Sequence, residues 1–133
     1  MKITVLDSYA VISYLQQQVG YEEVASIFEE CVTKDREVFL CIINWGEVIY
    51  QAMRRGGEKR AKLAENAMRA LPIQLVEANK ELTHQAAILK ASHKMSYADC
   101  FAAALAIKKK GELVTGDSEF KQVEKEVKIR WIK

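Results

Sequence analysis

The chain has 133 residues, half of them hydrophobic, and a formal net charge of +2. That length suits one compact domain over 1–133, with apolar content enough for a core and too high for disorder. So small a charge does not mark a nucleic-acid binder by itself, and no stretch approaches the ~18 consecutive apolar residues of a membrane span.

"MKITVLD" meets an acid too early for the apolar region of a signal peptide, so the expected location is the cytoplasm. Within it "KITVL" (2–6) is apolar and β-branched and predicts a buried strand. A helix follows over Ser8–Gln18, Gly20 breaks it, and a second helix covers 21–34. "EVFLCII" (37–43) predicts a second buried strand. Helical pattern resumes at Asn44 and runs to Arg55, where Gly56-Gly57 interrupts it; a further helix over 58–70 ends before the only proline, Pro72. "IQLVE" (73–77) is a third strand, 79–93 and 97–110 are helices, "ELVT" (112–115) is a fourth strand and "VKIRWI" (127–132) a fifth. Strands alternating with helices predict an α/β domain built on a largely parallel sheet.

Cys31, Cys41 and Cys100 are odd in number, lie in apolar surroundings and form no C-x-x-C pair. They read as small hydrophobes in a reducing compartment and not as a disulfide framework or a zinc site. His84 and His93 are nine apart in one helix and so fall on different faces, which argues against paired ligands. Arg54, Arg55, Lys59, Arg60, Lys62 and Arg69 form one basic run and Lys108–Lys110 another. A solvated helix face and a helix C-terminus suited to cations account for both without any ligand.

In an open α/β sheet, ligands bind beyond the carboxyl ends of the strands. Asp7 directly follows the first strand, Glu47 follows the second in the first turn of the Asn44 helix, and Asp117 follows the fourth. Asp99 has no strand before it but occupies the first turn of its own Ala-rich helix. Each acid has a local explanation. Ser96-x-x-Asp99 and Asn44-x-x-Glu47 resemble capping boxes, Asp7 or Ser8 can cap the first helix, and Asp117 or Ser118 a helical turn. Capping alone, however, does not require the acids to follow buried strands. Carboxylates converging on one edge raise one another's pKa unless a cation joins them. All-oxygen donors without His or Cys suit Mg²⁺ or Mn²⁺.

The segments "VLDSYAVISYL", "INWGEVIY", "SYADCFAAALA" and "LVTGDSEF" together resemble the PIN-domain ribonucleases, most closely the VapC-type toxins of prokaryotic toxin–antitoxin pairs. The resemblance implies a three-layer fold with a central parallel five-stranded sheet flanked by helices. It implies an acidic quartet, Asp7, Glu47, Asp99 and Asp117, around Mg²⁺ or Mn²⁺, supported by the hydroxyls of Ser8, Thr115 and Ser96. It implies an RNA substrate, with Arg54, Arg55, Lys59 and Arg60 as candidate phosphate contacts, a cognate antitoxin and a homodimer. Trp45-Gly46 stands where many members have small or aliphatic residues, which is expected to alter shape near the site.

Other readings remain open. Within the family these are an RNA-processing or decay nuclease without an antitoxin, and a non-catalytic RNA- or protein-binding module. A phosphoacceptor receiver domain also clusters acids at strand ends, but wants an acidic pair after the first strand, where Ser8 follows Asp7. A haloacid-dehalogenase-type phosphatase wants a second Asp where Tyr9 stands.

Overall fold

The computed structural model describes residues 1–133. Its strands are β1 (Lys2–Leu6), β2 (Arg36–Cys41), β3 (Gln74–Val76), β4 (Glu112–Thr115) and β5 (Ile129–Trp131). They form one five-stranded sheet in the order β3-β2-β1-β4-β5, every pairing parallel. The helices are α1 (Ser8–Leu15), α2 (Tyr21–Val32), α3 (Ile42–Arg69), α4 (Lys80–Ser92) and α5 (Tyr97–Lys109), with a 3₁₀ turn over Ser118–Val123. No helix is long and apolar enough to cross a membrane.

A parallel sheet is covered on both faces, and the period-2 alternation of strand side chains builds both cores here. Val5 joins Phe39, Leu113 and the residues of α4 and α5 on one face, while Leu6 joins Val38, Leu40, Val114 and those of α1, α2 and α3 on the other. The result is the expected three-layer α/β arrangement. Helix α5 explains its own composition: Cys100 to Ala106 are buried without interruption, as befits a helix enclosed on all sides.

Several element ends differ from the sequence expectation by one to three residues, most consequentially at the start of α3. β2 ends at Cys41 and Ile42-Ile43 already belong to α3, because an apolar run alone does not distinguish a strand's end from a helix's buried start. Cys41, not Asn44, therefore occupies the cap position of α3, and Asn44-x-x-Glu47 is no capping box. Glu47 consequently lies beyond the first helical turn. α1 stops at Leu15, three residues early, since Gln17 adopts a left-handed φ of 52°. The interruption at Gly56-Gly57 is present as a kink inside α3, Gly57 having a φ of 73° that favours glycine.

At the amino end of the sheet lies a buried charge cluster with no local signature. Arg36, 4% exposed, donates from Nε to Glu30 at 2.7 Å and from Nη1 to Glu112 at 2.9 Å, with the Thr4 hydroxyl also beside it. Its guanidinium holds the Glu30 carboxyl below its usual range.

Candidate active site

The strand order fixes where a site belongs. From β1 the chain moves outward to β2 and β3 on one side, then returns to place β4 on the other side of β1. The crevice at the carboxyl ends of β1 and β4 is thus the topological switch point. The order also differs from the 2-1-3-4-5 of flavodoxin-like receivers, which removes that alternative.

A cleft of about 410 Å³ opens at this point, lined by Asp7, Ser8, Glu47, Ser96, Asp99, Asp117 and Glu119, with Tyr9, Gln18 and Arg55 at its walls. All four predicted acids are brought together. Glu119 is a fifth, and the sequence reading missed it; its signal was the D-S-E spacing, which sets a second acid two residues beyond Asp117 at the head of the 3₁₀ turn.

Asp7 is 1% exposed and caps α1, its Oδ1 accepting from the Ala10 N–H at 2.8 Å. Its Oδ2 accepts from the Thr115 hydroxyl at 2.5 Å, and that oxygen in turn accepts from the Asp117 N–H at 3.0 Å. Thr115 therefore bridges the loops after β1 and β4. Ser96 caps α5 through the Asp99 N–H at 3.1 Å, and Asp117 caps the 3₁₀ turn through Glu119 N–H at 2.9 Å. Capping and convergence are compatible: each cap aims a helix start, and its acid, at the cleft. Gly116 contributes by absence, since a Cβ there would collide with the Tyr9 ring.

Burial pushes the Asp7 carboxyl up to about 8, against the Thr115 and Ala10 hydrogen bonds and with added repulsion from Asp99 and Asp117. Burial, then the charges of Asp117 and Glu47, pushes Asp99 up to about 7. Carboxyls so raised want a cation. Carboxylate oxygens of Asp99, Asp117 and Glu119 lie within 4.8 Å of one another. Ligands on opposite sides of one Mg²⁺ stand about 4.2 Å apart, so small side-chain rotations would let the trio share an ion. Neither histidine and no cysteine lines the cleft, so the donor set is all oxygen and fits a hard divalent cation. Asp7 and Glu47 line the cleft outside that trio.

The remaining expectations divide. Ser8 lies on the cleft wall, buried. Of the four candidate phosphate contacts only Arg55 reaches the cleft, where its guanidinium also meets Gln16. Arg54 instead lies over the Tyr50 ring at 4.8 Å, Arg60 lines a different, apolar trough, and Lys59 is exposed and lines neither. Trp45 does not shape the acidic cleft: two residues before Glu47 on α3, it faces away and packs toward Leu40, Met68 and Ile73.

Asn44 was no candidate. It is fully buried in α3, and its Nδ2 donates to Glu47 Oε1 at 3.2 Å and to the Ala98 carbonyl at 3.1 Å. Its Oδ1 is the one buried side-chain polar atom without a partner, a burden of about 1–3 kcal/mol.

The family model for the PIN domain matches residues 4–126. The chain belongs to the PIN-domain family. Among solved structures, this PIN domain is similar to a chain of VapBC2 from Rickettsia felis, bound to a DNA fragment from its promoter (TM-score 0.77, 14% identity, covering 98% of this chain and 99% of that one). It is similar to a chain of DNA-bound VapBC from Salmonella typhimurium (TM-score 0.76, 14% identity, 100% of both chains). A third similarity is to VapC20 of Mycobacterium tuberculosis, a Sarcin-Ricin loop cleaving toxin (TM-score 0.70, 17% identity, 90% of this chain and 94% of that one). No curated protein sequence matches it. At these identities the shared property is the PIN fold.

Proposed function

We propose that this PIN domain is a Mg²⁺- or Mn²⁺-dependent endoribonuclease and the toxin of a toxin–antitoxin pair acting in the cytoplasm. The observation that carries the reading is the convergence of Asp7, Glu47, Asp99, Asp117 and Glu119 on one cleft at the switch point of a PIN fold. Asp99, Asp117 and Glu119 would hold the ion together with Asp7, which lines the same cleft. When bound, a divalent ion supplies Lewis-acid charge to the phosphate and acidifies a water. The chain's own part is orientation and proton handling. Thr115 fixes Asp7 against Asp117, Ser96 fixes Asp99, and Arg55 offers a cation to a phosphate oxygen or to the departing 3′ oxygen. Water adds to phosphorus in line and gives its proton to a carboxylate, while the P–O3′ bond breaks and the departing 3′ oxygen takes a proton from solvent. Glu47 serves either as that base or as ligand to a second ion.

The test is incubation of total RNA with Mn²⁺ and either the native chain or Asp99→Asn. Fragments from the native chain and intact RNA with the variant are expected; equal cleavage by both, or none by either, sinks the reading. Arg55 has a separate test. Arg55→Gln should weaken RNA binding and lower the slope of log K against log salt by about one, while Arg54→Gln, whose cation is stacked on Tyr50, leaves the slope unchanged.

Support for an antitoxin comes from a second surface. Ile12, Leu15, Val48, Ala52, Leu63 and Ala64 line an apolar trough of about 380 Å³ between α1 and α3, and Ile12 and Gln51 belong to trough and acidic cleft alike. A partner segment with an apolar face followed by a basic residue would fill one and neutralise the other. The homodimer belongs to the same reading and is tested by sedimentation of the isolated chain.

A further inference from the structure

We propose that Asn44 is a positioning residue that holds the Glu47 carboxylate in register with the Asp99 helix. The proposal rests on the nuclease reading above for its consequence, though not for its geometry. Asn44 sits where α3, on one face of the sheet, meets α5, on the other, at the carboxyl edge. One side-chain amide spends both hydrogens across that junction, on Glu47 Oε1 at 3.2 Å and on the carbonyl of Ala98 at 3.1 Å. Ala98 immediately precedes Asp99. The amide orientation follows from chemistry, because the flipped form would turn Oδ1 against a carboxylate and a carbonyl, neither of which can donate.

No local role explains the residue. The cap position of α3 is Cys41, and Asn44 is wholly shielded from solvent, so it can touch neither water nor RNA. A hydrophobic residue of similar volume would fill the space without stranding an acceptor, yet the chain keeps Asn44 with Oδ1 unpartnered. Rules of polar satisfaction are broken chiefly where a site gains by it. The gain here is that Glu47, carried on a helix from the opposite layer, cannot rotate independently of the α5 start that presents Asp99. Groups that orient a metal-binding carboxylate from behind typically govern affinity or activity by 10–100-fold.

The test is a double-variant cycle on the full chain: native, Asn44→Ala, Glu47→Ala and the pair, read by Mn²⁺ binding in electron paramagnetic resonance and by single-turnover RNA cleavage. Asn44→Leu, with the same branched heavy-atom skeleton and no donors, accompanies Asn44→Ala, and metal-free circular dichroism melts check that each variant folds. In whichever readout Glu47→Ala lowers, either Asn44 variant should lower it about 10–100-fold, and Asn44→Ala should cost nothing further once Glu47 is gone. A native-like Asn44→Ala, or losses that multiply in the pair, overturns the proposal, since a merely structural residue acts whether or not Glu47 is present. A native chain that neither binds Mn²⁺ nor cuts RNA overturns the nuclease reading instead. The bonds themselves are then read by nuclear magnetic resonance of the metal-free protein. The Asn44 side-chain amide protons should be protected from exchange and should shift in Glu47→Ala; unshifted, unprotected protons defeat the positioning role.

Discussion

Metal-free protein should lose stability as the pH rises from about 4 to about 8. Asp7 is raised from 3.8 to about 8 and Asp99 from 3.8 to about 7, so the folded chain holds protons that the unfolded chain has released. Below about pH 4 both states are protonated and the two acids contribute no penalty. Between the unfolded and folded values each acid lowers stability by up to ~1.4 kcal/mol per pH unit, and above about 8 the loss is complete. Integrated for Asp7 alone this is on the order of 5 kcal/mol, a large share of a domain's stability. Glu30, held low by Arg36, acts oppositely and costs stability as the pH falls through the acid range. Urea titrations in chelator at several pH values should therefore find the maximum on the acid side of neutrality. A maximum at pH 8 contradicts the buried-acid account.

Asp7→Asn separates stability from activity and has the largest expected effect on both. Asparagine is a good cap, so its side-chain oxygen can keep the bond from Ala10 N–H while the buried charge disappears. In chelator at pH 8 the variant should be more stable than the native chain by a few kcal/mol, and its stability should vary less with pH. Mn²⁺ should reverse the ranking. At a hundredfold over Kd, binding adds about 2.7 kcal/mol to the native chain, roughly 10 °C in Tm at this size. The variant should gain little of that and should lose RNA cleavage by more than about a hundredfold. Differential scanning calorimetry with and without Mn²⁺ checks the first part, and equal shifts for the two proteins would show that Asp7 has no share in a metal site.

The fold was largely legible because its signals are local and redundant. Buried β-branched runs, glycine breaks and one proline delimit five strands and their helices. The acids after β1 and β4 were legible because a parallel sheet puts chemistry at strand ends. What escaped the sequence depends on the third dimension. Glu47 and Asn44 were assigned to a helix start because "CII" reads equally as strand or helix; once α3 begins at Ile42, Asn44 is a buried brace and no cap. Nothing local marks Arg36, which precedes the apolar run at 37–43; only the pairing of β1 with β2 and β4 sets it among Thr4, Glu30 and Glu112. Trp45 was expected near the site from its sequence neighbour Glu47, but residues two apart on a helix face different ways. The same geometry separates Arg55 from Arg54.

The proposed activity is hydrolysis of RNA by water, with a divalent ion held by the acidic cleft. One synthetic RNA, cut by the native chain with Mn²⁺ in ¹⁸O-labelled water and analysed by mass spectrometry, tests it most directly. Expected are a 3′-hydroxyl on one fragment, a 5′-phosphate carrying ¹⁸O on the other, and no cutting in chelator. Fragments ending in 2′,3′-cyclic phosphate, or cutting that persists in chelator, would contradict it.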